Sequence, residues 1–388
     1  MAPRDNALTS IRATPAASKV VTPAPDLSFG ATAVGPLSRI PVILRRLGAD
    51  PVRVLRSVGV DAHIFDDPGN RMSLQRVGPL LRACIEATGQ PHFGLIVASE
   101  FELPMLNTLG YLVRHQPTVR AALRTLVLQL HLQDRGAVVA LDESGARSAQ
   151  LSYAVCTPHT PETGLIHSTA MMIGFRLLKA VCGPTWRPIE VQLAQGTPDD
   201  VAVYRGMFES PVRFDAPLST ITFERRWLDA DIPGADPDLL RLLSQMAAAL
   251  DGQTRMSLAD RVRRVLRNSV LAGTANARHV GEIFSLSERG LRRHLAREGV
   301  SLNELIGEAR FVVADQLLEQ TGMPLGEIAV ALHYADLSAF SRAFRGWTGV
   351  PPSAWRLSVQ SANGEAGRNR LVVSEHTTTR GAARSKAF

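Results

Sequence analysis

The sequence feature that most restricts the fold of this chain is an apolar pattern that occurs twice between Val280 and Arg356. The first copy consists of Val280, Gly281, Phe284, Leu286, Leu291 and Leu295. The second copy consists of Ile328, Ala329, Leu332, Tyr334, Phe340 and Phe344, displaced by 48 residues before the turn and 49 after it. Each copy predicts a short helix, a tight turn and a second helix, because the small residue lets the helices cross closely. The second helix of such a motif commonly enters the DNA major groove.

The segment between the two copies predicts a long connecting helix. Residues 301–320 carry apolar side chains at helical spacing, and Ser301 and Glu304 have the spacing of a capping box. Twenty helical residues span about 30 Å. Adjacent major-groove faces on one side of DNA lie about 34–36 Å apart. We therefore expect this helix both to serve as a core helix and to hold two recognition helices near groove spacing.

Length and composition restrict the class of protein. The 388 residues suffice for about two domains, and an apolar content of 45% is ordinary for a globular chain. No apolar run approaches the ~20 residues of a spanning helix, so we expect no membrane partner and a cytoplasmic location. The three cysteines, Cys84, Cys156 and Cys182, are scattered. They predict buried thiols in a reducing compartment, with no disulfide framework or metal site, and we expect no cofactor.

The excess positive charge is concentrated in the C-terminal part of the chain. Residues 38–250 hold 21 basic and 21 acidic side chains, so most of the formal net charge of +7 belongs to the repeated helices and the tail. Nearly all the basic residues are arginines, which suit phosphate and guanine. A GC-rich coding bias would produce the same preference. The distribution favours a polyanionic partner for the C-terminal part.

The N-terminal two thirds of the chain predict a mixed domain. Residues 1–37 contain five prolines and few large apolar side chains, which predicts a disordered leader. Apolar residues at helical spacing follow, and then Val138–Leu141 and Ser148–Val155 predict a half-buried β-hairpin. A long helix from about Glu162 and further strands follow. Residues 38–250 therefore predict an α+β domain.

Residues 257–357 resemble the DNA-binding domain of AraC-type bacterial transcription regulators. The resemblance is carried by Ile328-Ala329, Leu332, Ser338-Ala339-Phe340-Ser341-Arg342-Ala343-Phe344, Trp347, Gly349 and Pro352-Ser353. The chain departs from the family at three positions. Ser285 and His333 stand where the family has a glycine in each turn, and Ala335 replaces a serine before the last recognition helix. We expect Asp336 to cap that helix instead.

Residues 38–250 are similar to the arabinose-binding-like effector domain of one branch of the same family. The residues that match include Leu47-Gly48, Pro91-His92-Phe93-Gly94-Leu95, Trp186-Arg187-Pro188 and Pro211-Val212-Arg213-Phe214. The two resemblances together imply an α+β effector domain followed, over residues 251–357, by an all-α DNA-binding domain. That second domain has two helix-turn-helix motifs joined by a long helix. Residues 358–388 are expected to form a disordered basic tail.

The family register implies which side chains meet DNA. In the first recognition helix it places Arg289, Arg292 and Arg293 toward base edges, and the spacing agrees because Leu291 and Leu295 lie on the opposite side. In the second recognition helix it points to Leu337, Ser338, Ser341 and Arg342, with Arg345 nearer to phosphate. The alternative is a solvated face, or one that meets phosphate alone.

The resemblance implies a transcription regulator, an activator as in most of the family, controlled by a small-molecule effector. Its expected partners are double-stranded DNA, an effector of unknown identity, RNA polymerase and, in a homodimer, a second copy. Effector binding would act through dimer geometry or through release of the C-terminal half. His131, Asp134 and Arg135 either face a ligand pocket or form a solvated helix end, and His92 and His167 are expected to be packed or surface residues.

Two other functions compete with this one. An enzyme would need a nucleophile elbow, a phosphate-binding loop, a zinc-protease motif or a dinucleotide fingerprint, and the sequence contains none of these. The cysteines lack the Cys/His cluster that would activate a thiol. An interaction module with a decayed DNA-binding half is disfavoured by the intact apolar repeat and its arginines.

Overall fold

The computed structural model describes residues 30–157, 160–216, 218–253, 257–271, 275–284, 286–320 and 323–358. The helices of the N-terminal part are α1 (Ile40–Arg46), α2 (Pro51–Ser57), α3 (Leu74–Thr88), α4 (Phe93–Ser99), α5 (Thr108–Arg114), α6 (Val119–Gln129), α7 (Thr163–Cys182), α8 (Val201–Phe208) and α9 (Pro237–Gln253). Its strands are β1 (Ala31–Ala33), β2 (Arg71–Ser73), β3 (Ala137–Asp142), β4 (Ser148–Val155), β5 (Glu190–Gln192), β6 (Val212–Arg213) and β7 (Ser219–Glu224). The predicted α+β class is confirmed.

A five-stranded sheet forms the centre of the N-terminal part, in the order β3-β4-β7-β5-β6. The hairpin predicted from the alternating pattern is confirmed as the antiparallel pair β3–β4. Helix α7 packs across β4 and β7. The core there contains Phe175, Trp186, Phe208 and Phe223, each less than 2% exposed. Burial of such aromatic side chains contributes a large share of the stability of a core.

The folded part begins before residue 38, where the sequence had placed the end of a disordered leader. Strand β1 is fully buried and pairs with β2. The Ala33 N–H donates to the Gln133 carbonyl oxygen at 2.8 Å. Small residues fill this tight contact, and a short run of them carries no periodic signal that sequence analysis can detect. Residues 1–29, and the predicted tail from residue 359 onward, lie outside the described residues.

Helix α7 corrects the expectation that no segment has the length and apolar character of a membrane span. Its 20 residues are long enough and apolar enough to span a membrane, with a mean hydropathy of 1.3 over an 18-residue stretch. Much of the helix is nevertheless enclosed by protein, since it packs against α3, α4 and the sheet. Phe175, Leu178 and Val181 are almost fully buried. The apolar length of α7 is therefore explained by its place in the core.

The C-terminal part is helical. Its helices are α10 (Leu258–Leu271), α11 (Ala277–Ile283), α12 (Glu288–Arg297), α13 (Leu302–Gln320), α14 (Leu325–Ala331) and α15 (Leu337–Thr348). Helices α11–α12 and α14–α15 form the two predicted helix-turn-helix motifs, and α13 is the predicted long connection. The capping box is confirmed, because Ser301 N–H donates to Glu304 Oε2 at 2.8 Å and Glu304 N–H donates to Ser301 Oγ at 3.2 Å.

The two turns are built alike but differ in how tightly they are packed. The Leu286 N–H donates to Gly281 O at 2.8 Å, and the Tyr334 N–H donates to Ala329 O at 2.9 Å. A Cβ on Gly281 would lie 2.6 Å from the Leu286 carbonyl oxygen, so the first turn requires glycine. His333 has φ of 58°, in the left-handed region that costs a side chain some free energy. Ser285, the other predicted departure, lies outside the described residues.

Strand β3 is buried on both faces along most of its length. Val138 pairs with Ala154, and Val139 pairs with Tyr153. Directly paired residues share a face, so Val138 and Ala154 lie on one side of the sheet and Val139 and Tyr153 on the other. Val312 of α13 packs against the Val138 side, and α10 also lies against β3. The sheet is therefore a wall shared with the C-terminal helices.

This wall explains why the prediction of a half-buried hairpin holds only at one end of β4. Gln150 on the outward face is exposed, as predicted. Ser152 on the same face is only 8% exposed, and its hydroxyl is 3.1 Å from the Thr220 hydroxyl. Two hydroxyl groups that bond to each other can be buried at small cost. Ser152, whose polar side chain predicted a solvent-exposed face, thus lies on the side of the sheet that the C-terminal helices cover.

Candidate functional site

Helix α12 presents three arginines on the face opposite its buried side. Its N-terminus is fixed by Ser287, whose Oγ accepts the Gly290 N–H at 3.1 Å. Leu291 and Leu295 have no exposed surface and anchor the helix in the core. The exposed arginines are Arg289, Arg292 and Arg293. Their spacing of three and four residues places them on one face.

Helix α15 repeats this arrangement in the second motif. Asp336 caps it as predicted, since its Oδ1 accepts the Ala339 N–H at 2.7 Å. Phe340 and Phe344 are fully buried and hold the helix. The predicted DNA-facing positions Leu337, Ser338, Arg342 and Arg345 are exposed, and Ser341 is half-buried.

The guanidinium groups on the two helices are not used inside the protein. The side chains of Arg289, Arg292 and Arg293 make no hydrogen bond or ion pair with any other residue that the structure describes, and the same holds for the side chains of Arg342 and Arg345. By contrast, Arg263 on α10 is paired with Asp260 and Glu308. Unpaired arginines on a convex helix face can contact phosphate or base edges without first breaking internal bonds.

A cavity of about 120 Å³ lies in the N-terminal part, between α7, α6, β3 and β4. Most of its wall is aliphatic and includes Leu126, Val139, Leu151, Met171 and Leu177. Val139 and Leu151 belong to the sheet face opposite the one that Val312 contacts. The cavity and the C-terminal helices therefore lie on the two sides of one pair of strands.

The polar end of the cavity is formed by Gln133 and Asp134, which are 4% and 8% exposed. Asp134 Oδ1 accepts the Gly136 N–H at 2.7 Å. Burial raises the pKa of Asp134 to about 6, although hydrogen bonds from Gly136 and Thr32 and the nearby Arg71 oppose the shift. Asp134 thus faces a cavity and is not part of a solvated helix end. His131 and Arg135, predicted beside it, are half-buried and lie outside the cavity lining.

Other candidate residues have structural roles. His167 is buried against Tyr153, with ring centroids 5.9 Å apart, and burial lowers its pKa to about 4. His92 precedes α4 and is half-buried. Burial raises the pKa of both Cys84 and Cys182 to about 12, so the reactive thiolate is disfavoured at neutral pH. Among the residues described, no group of three or more His, Cys, Asp or Glu side chains could hold a metal ion.

Comparison with known proteins identifies both parts of the chain. Residues 48–232 match the family described as the arabinose-binding domain of AraC transcription regulator, and residues 280–358 match a helix-turn-helix domain family. The chain belongs to the AraC family. It is a transcription regulator with a helix-turn-helix DNA-binding domain and an arabinose-binding-like effector domain.

Individual AraC-type relatives align along most of the chain. The HTH-type transcriptional regulator VirS of Mycobacterium tuberculosis is 26% identical over 315 residues, covering 81% of this chain and 93% of VirS. The ornithine utilization regulator of Pseudomonas aeruginosa is 26% identical over 310 residues, covering 76% and 88%. The crystal structure of the transcriptional regulator CdpR from Pseudomonas aeruginosa is 21% identical, with a TM-score of 0.41, and covers 83% of this chain and 96% of CdpR.

Only part of this cavity could be predicted from the sequence. Asp134 was a candidate, but Gln133 beside it was not, and neither was the wall contributed by α7 and β4. The approach of β1 to Gln133, over about a hundred residues of sequence, has no local signature.

The two buried titratable groups predict opposite pH dependences of stability. The pKa of Asp134 is raised from 3.8, so this group loses stabilising free energy as pH rises through about 6. The pKa of His167 is lowered from 6.5, so its contribution is present above pH 6.5 and is lost as pH falls toward 4. Each shift corresponds to about 3 kcal/mol. Urea unfolding from pH 4 to 7 should show Asp134→Asn gaining stability over the unsubstituted protein as pH rises.

His167→Leu should show the opposite trend in the same experiment, gaining stability over the unsubstituted protein as pH falls from 7 to 4. Using differences between proteins cancels the titration of the exposed carboxylates. If both differences are independent of pH, these groups are not buried as the structure places them.

Proposed function

We propose that this chain activates transcription by binding one double-stranded DNA site through both helix-turn-helix motifs at once. The observation that supports this most directly is the set of unpaired, exposed arginines on α12 and α15, each set opposite a buried anchor. In this proposal Arg289, Arg292 and Arg293 contact bases in one major groove. Leu337, Ser338, Ser341 and Arg342 contact the next groove, and Arg345 contacts phosphate.

Selection of bound sequences from random double-stranded DNA tests this function. The full chain is expected to enrich one sequence with two conserved segments about one helical turn apart. A protein with both Arg293→Ala and Arg342→Ala should enrich shorter or weaker consensus sequences. Failure to enrich any sequence, with or without candidate metabolites, would contradict the proposal.

The remaining parts of the proposal concern partners and organisation. The chain acts in the cytoplasm by binding and not by catalysis, contacts RNA polymerase as an activator, and forms a homodimer on DNA. The effector domain spans residues 38–250, extended by β1, and the DNA-binding domain spans 251–357. Residues 1–29 form a leader and 358–388 a basic tail. The separate matches of residues 48–232 and 280–358 to two domain families support the two-domain division.

The contact between the two parts favours release of the C-terminal half as the regulatory route. Val312 lies on α13, the helix that joins the two DNA-binding motifs, and packs on the sheet opposite the cavity. Gln316, one helical turn further along, is 5% exposed, and its amide oxygen and nitrogen have no partner among the described residues. An unsatisfied buried amide costs about 1–3 kcal/mol. Val312 and Gln316 are four residues apart and therefore lie on one face of α13, where this unpaired amide lowers the stability of the packed arrangement.

Val312→Asn should weaken this docking by placing an amide in the apolar contact. We expect DNA affinity without effector to rise by about fivefold or more, because an allosteric coupling is typically 1–3 kcal/mol. Electrophoretic mobility shift on the selected site measures the change. Val330→Asn is the matched control, since Val330 is 71% exposed on α14. Equal affinity of the Val312 variant and the control would contradict release and favour dimer geometry.

A further inference from the structure

The inner cavity of the N-terminal part has a lining that restricts what it can bind. Its volume of about 120 Å³ is close to the ~150 Å³ of an engineered apolar cavity that binds benzene. A ligand that fills this space is therefore about the size of one six-membered ring. The aliphatic wall favours a hydrocarbon body, because removing apolar surface from water is favourable.

Several side-chain hydrogen-bond donors at the polar end are already used within the protein. Gln133 Nε2 donates to the Ala33 carbonyl oxygen at 2.9 Å, and Thr169 Oγ1 donates to the Leu165 carbonyl oxygen at 2.7 Å. The Thr32 hydroxyl bonds to Asp134. The Ser152 side chain lies on the opposite face of the sheet, where it bonds to Thr220. The Tyr153 phenol is neutral and can both donate and accept a hydrogen bond. It therefore does not determine whether a ligand must be a donor or an acceptor.

The acceptors at the same end are not all used. Gln133 Oε1 is buried and has no hydrogen-bond partner among the described residues. The adjacent Asp134 carboxylate has about four lone-pair positions, and bonds from Gly136, Ala137 and Thr32 occupy three of them. An unpaired buried oxygen is costly, and a ligand that donates a hydrogen bond would remove the cost. The cavity thus presents acceptors to its contents.

Two common classes of metabolite fit this end poorly. A ligand carboxylate would meet Asp134 at close range, and like charges in a buried site repel strongly. Arg71, which interacts electrostatically with Asp134, directs its guanidinium at the backbone carbonyl oxygens of Ala31, Leu132 and Gln133. A sugar would bury several hydroxyls against the aliphatic wall, where they would lack partners.

We propose that this cavity binds an uncharged, ring-sized apolar alcohol, of the phenol or cyclohexanol type, whose hydroxyl donates to Gln133 Oε1 or Asp134. This inference names the ligand class for the sensing role and so rests on the proposed function. Binding would occur against β3 and β4, the strands on whose opposite face Val312 packs. The proposed ligand class does not depend on whether the Val312 contact changes when the ligand binds.

Calorimetric titration of the full chain without DNA tests the proposal, using phenol, cyclohexanol, toluene, benzoate and L-arabinose as probes. Phenol and cyclohexanol should bind about tenfold more tightly than toluene, since one good hydrogen bond in a buried site is worth about that factor. Benzoate and L-arabinose should not bind. Tighter binding of either of these two than of the alcohols would overturn the proposal.

Two substitutions locate the binding. Ala170 lines the cavity, so Ala170→Leu should fill it and lower phenol affinity more than about tenfold. The matched control Ala180→Leu, at an exposed position of the same helix, should leave affinity unchanged. Gln133→Met keeps the side-chain volume but removes the acceptor, and should bring phenol to within about twofold of toluene. Phenol binding that survives Ala170→Leu would place the site elsewhere.

Failure of the ligand proposal and failure of the proposed function would give different experimental results. If phenol binds in the cavity but leaves DNA affinity unchanged, the site stands and effector control fails. If DNA selection succeeds while no alcohol binds, the regulator stands and this ligand class is wrong.

Discussion

Replacing Arg293 with alanine is expected to weaken binding to the selected DNA site by roughly 5–150-fold, a cost of about 1–3 kcal/mol. Arg293 is exposed on α12, and Leu295 behind it is fully buried. Its guanidinium has no partner among the described residues, so it is free to bond both acceptors of a guanine. Loss of a base contact should also relax the preference at one position of the site.

Affinity measurements on the selected site and on sites with single base changes distinguish a base contact from a phosphate contact. A base contact predicts that Arg293→Ala loses affinity for the selected site and little for sites changed at the contacted base. Arg205→Ala is the matched control, because it removes the same charge from an exposed position on α8 of the N-terminal part. An equal loss on every sequence, with a salt slope reduced by about one, would show that Arg293 meets phosphate.

Replacing Phe344 with alanine is expected to destabilise the second helix-turn-helix motif by about 3–5 kcal/mol. Phe344 is fully buried at the centre of an aromatic cluster. Its ring centroid lies 5.7–6.1 Å from those of Phe340, Trp347, Trp355 and Phe311. Its removal leaves a cavity that these large rings cannot easily fill. Helix α15 would then lose the anchor that orients Ser338 and Arg342.

Hydrogen exchange measured by mass spectrometry can follow this effect helix by helix. Amides of α15 should exchange much faster in Phe344→Ala, while those of α7 in the N-terminal part should be unchanged. Leu337→Ala is the control, since Leu337 lies on the same helix and is 43% exposed. If α15 remains as protected as before, the second motif does not depend on this cluster.

The C-terminal part was largely predictable because its signals are local. Gly281 and Ala329 mark where two helices cross, and Asp336, next to the position of the missing serine, supplies the cap. Spacing of three and four residues separates buried anchors from exposed arginines. Such patterns are set by the geometry of a single helix and need no knowledge of what packs against it.

The N-terminal part was less predictable because its important contacts join distant segments. Strand β1 pairs with a strand about 40 residues away and bonds to Gln133 about 100 residues away. Ser152 suggested a solvated face, but α10 and α13 cover that side of the sheet. Neither the cavity nor the shared wall has a periodic signal, since both depend on which elements meet in three dimensions.

We expect α12 and α15 to occupy successive major grooves of one duplex, held apart by α13. At about 1.5 Å per residue, the 19 residues of α13 span about 28 Å. Inserting base pairs between the two conserved segments of the selected site tests this claim most directly. Five inserted base pairs rotate the second groove to the opposite side of the duplex. This insertion should lower affinity to that of a single segment, whereas unchanged affinity would show that the two helices do not bind successive grooves of one duplex.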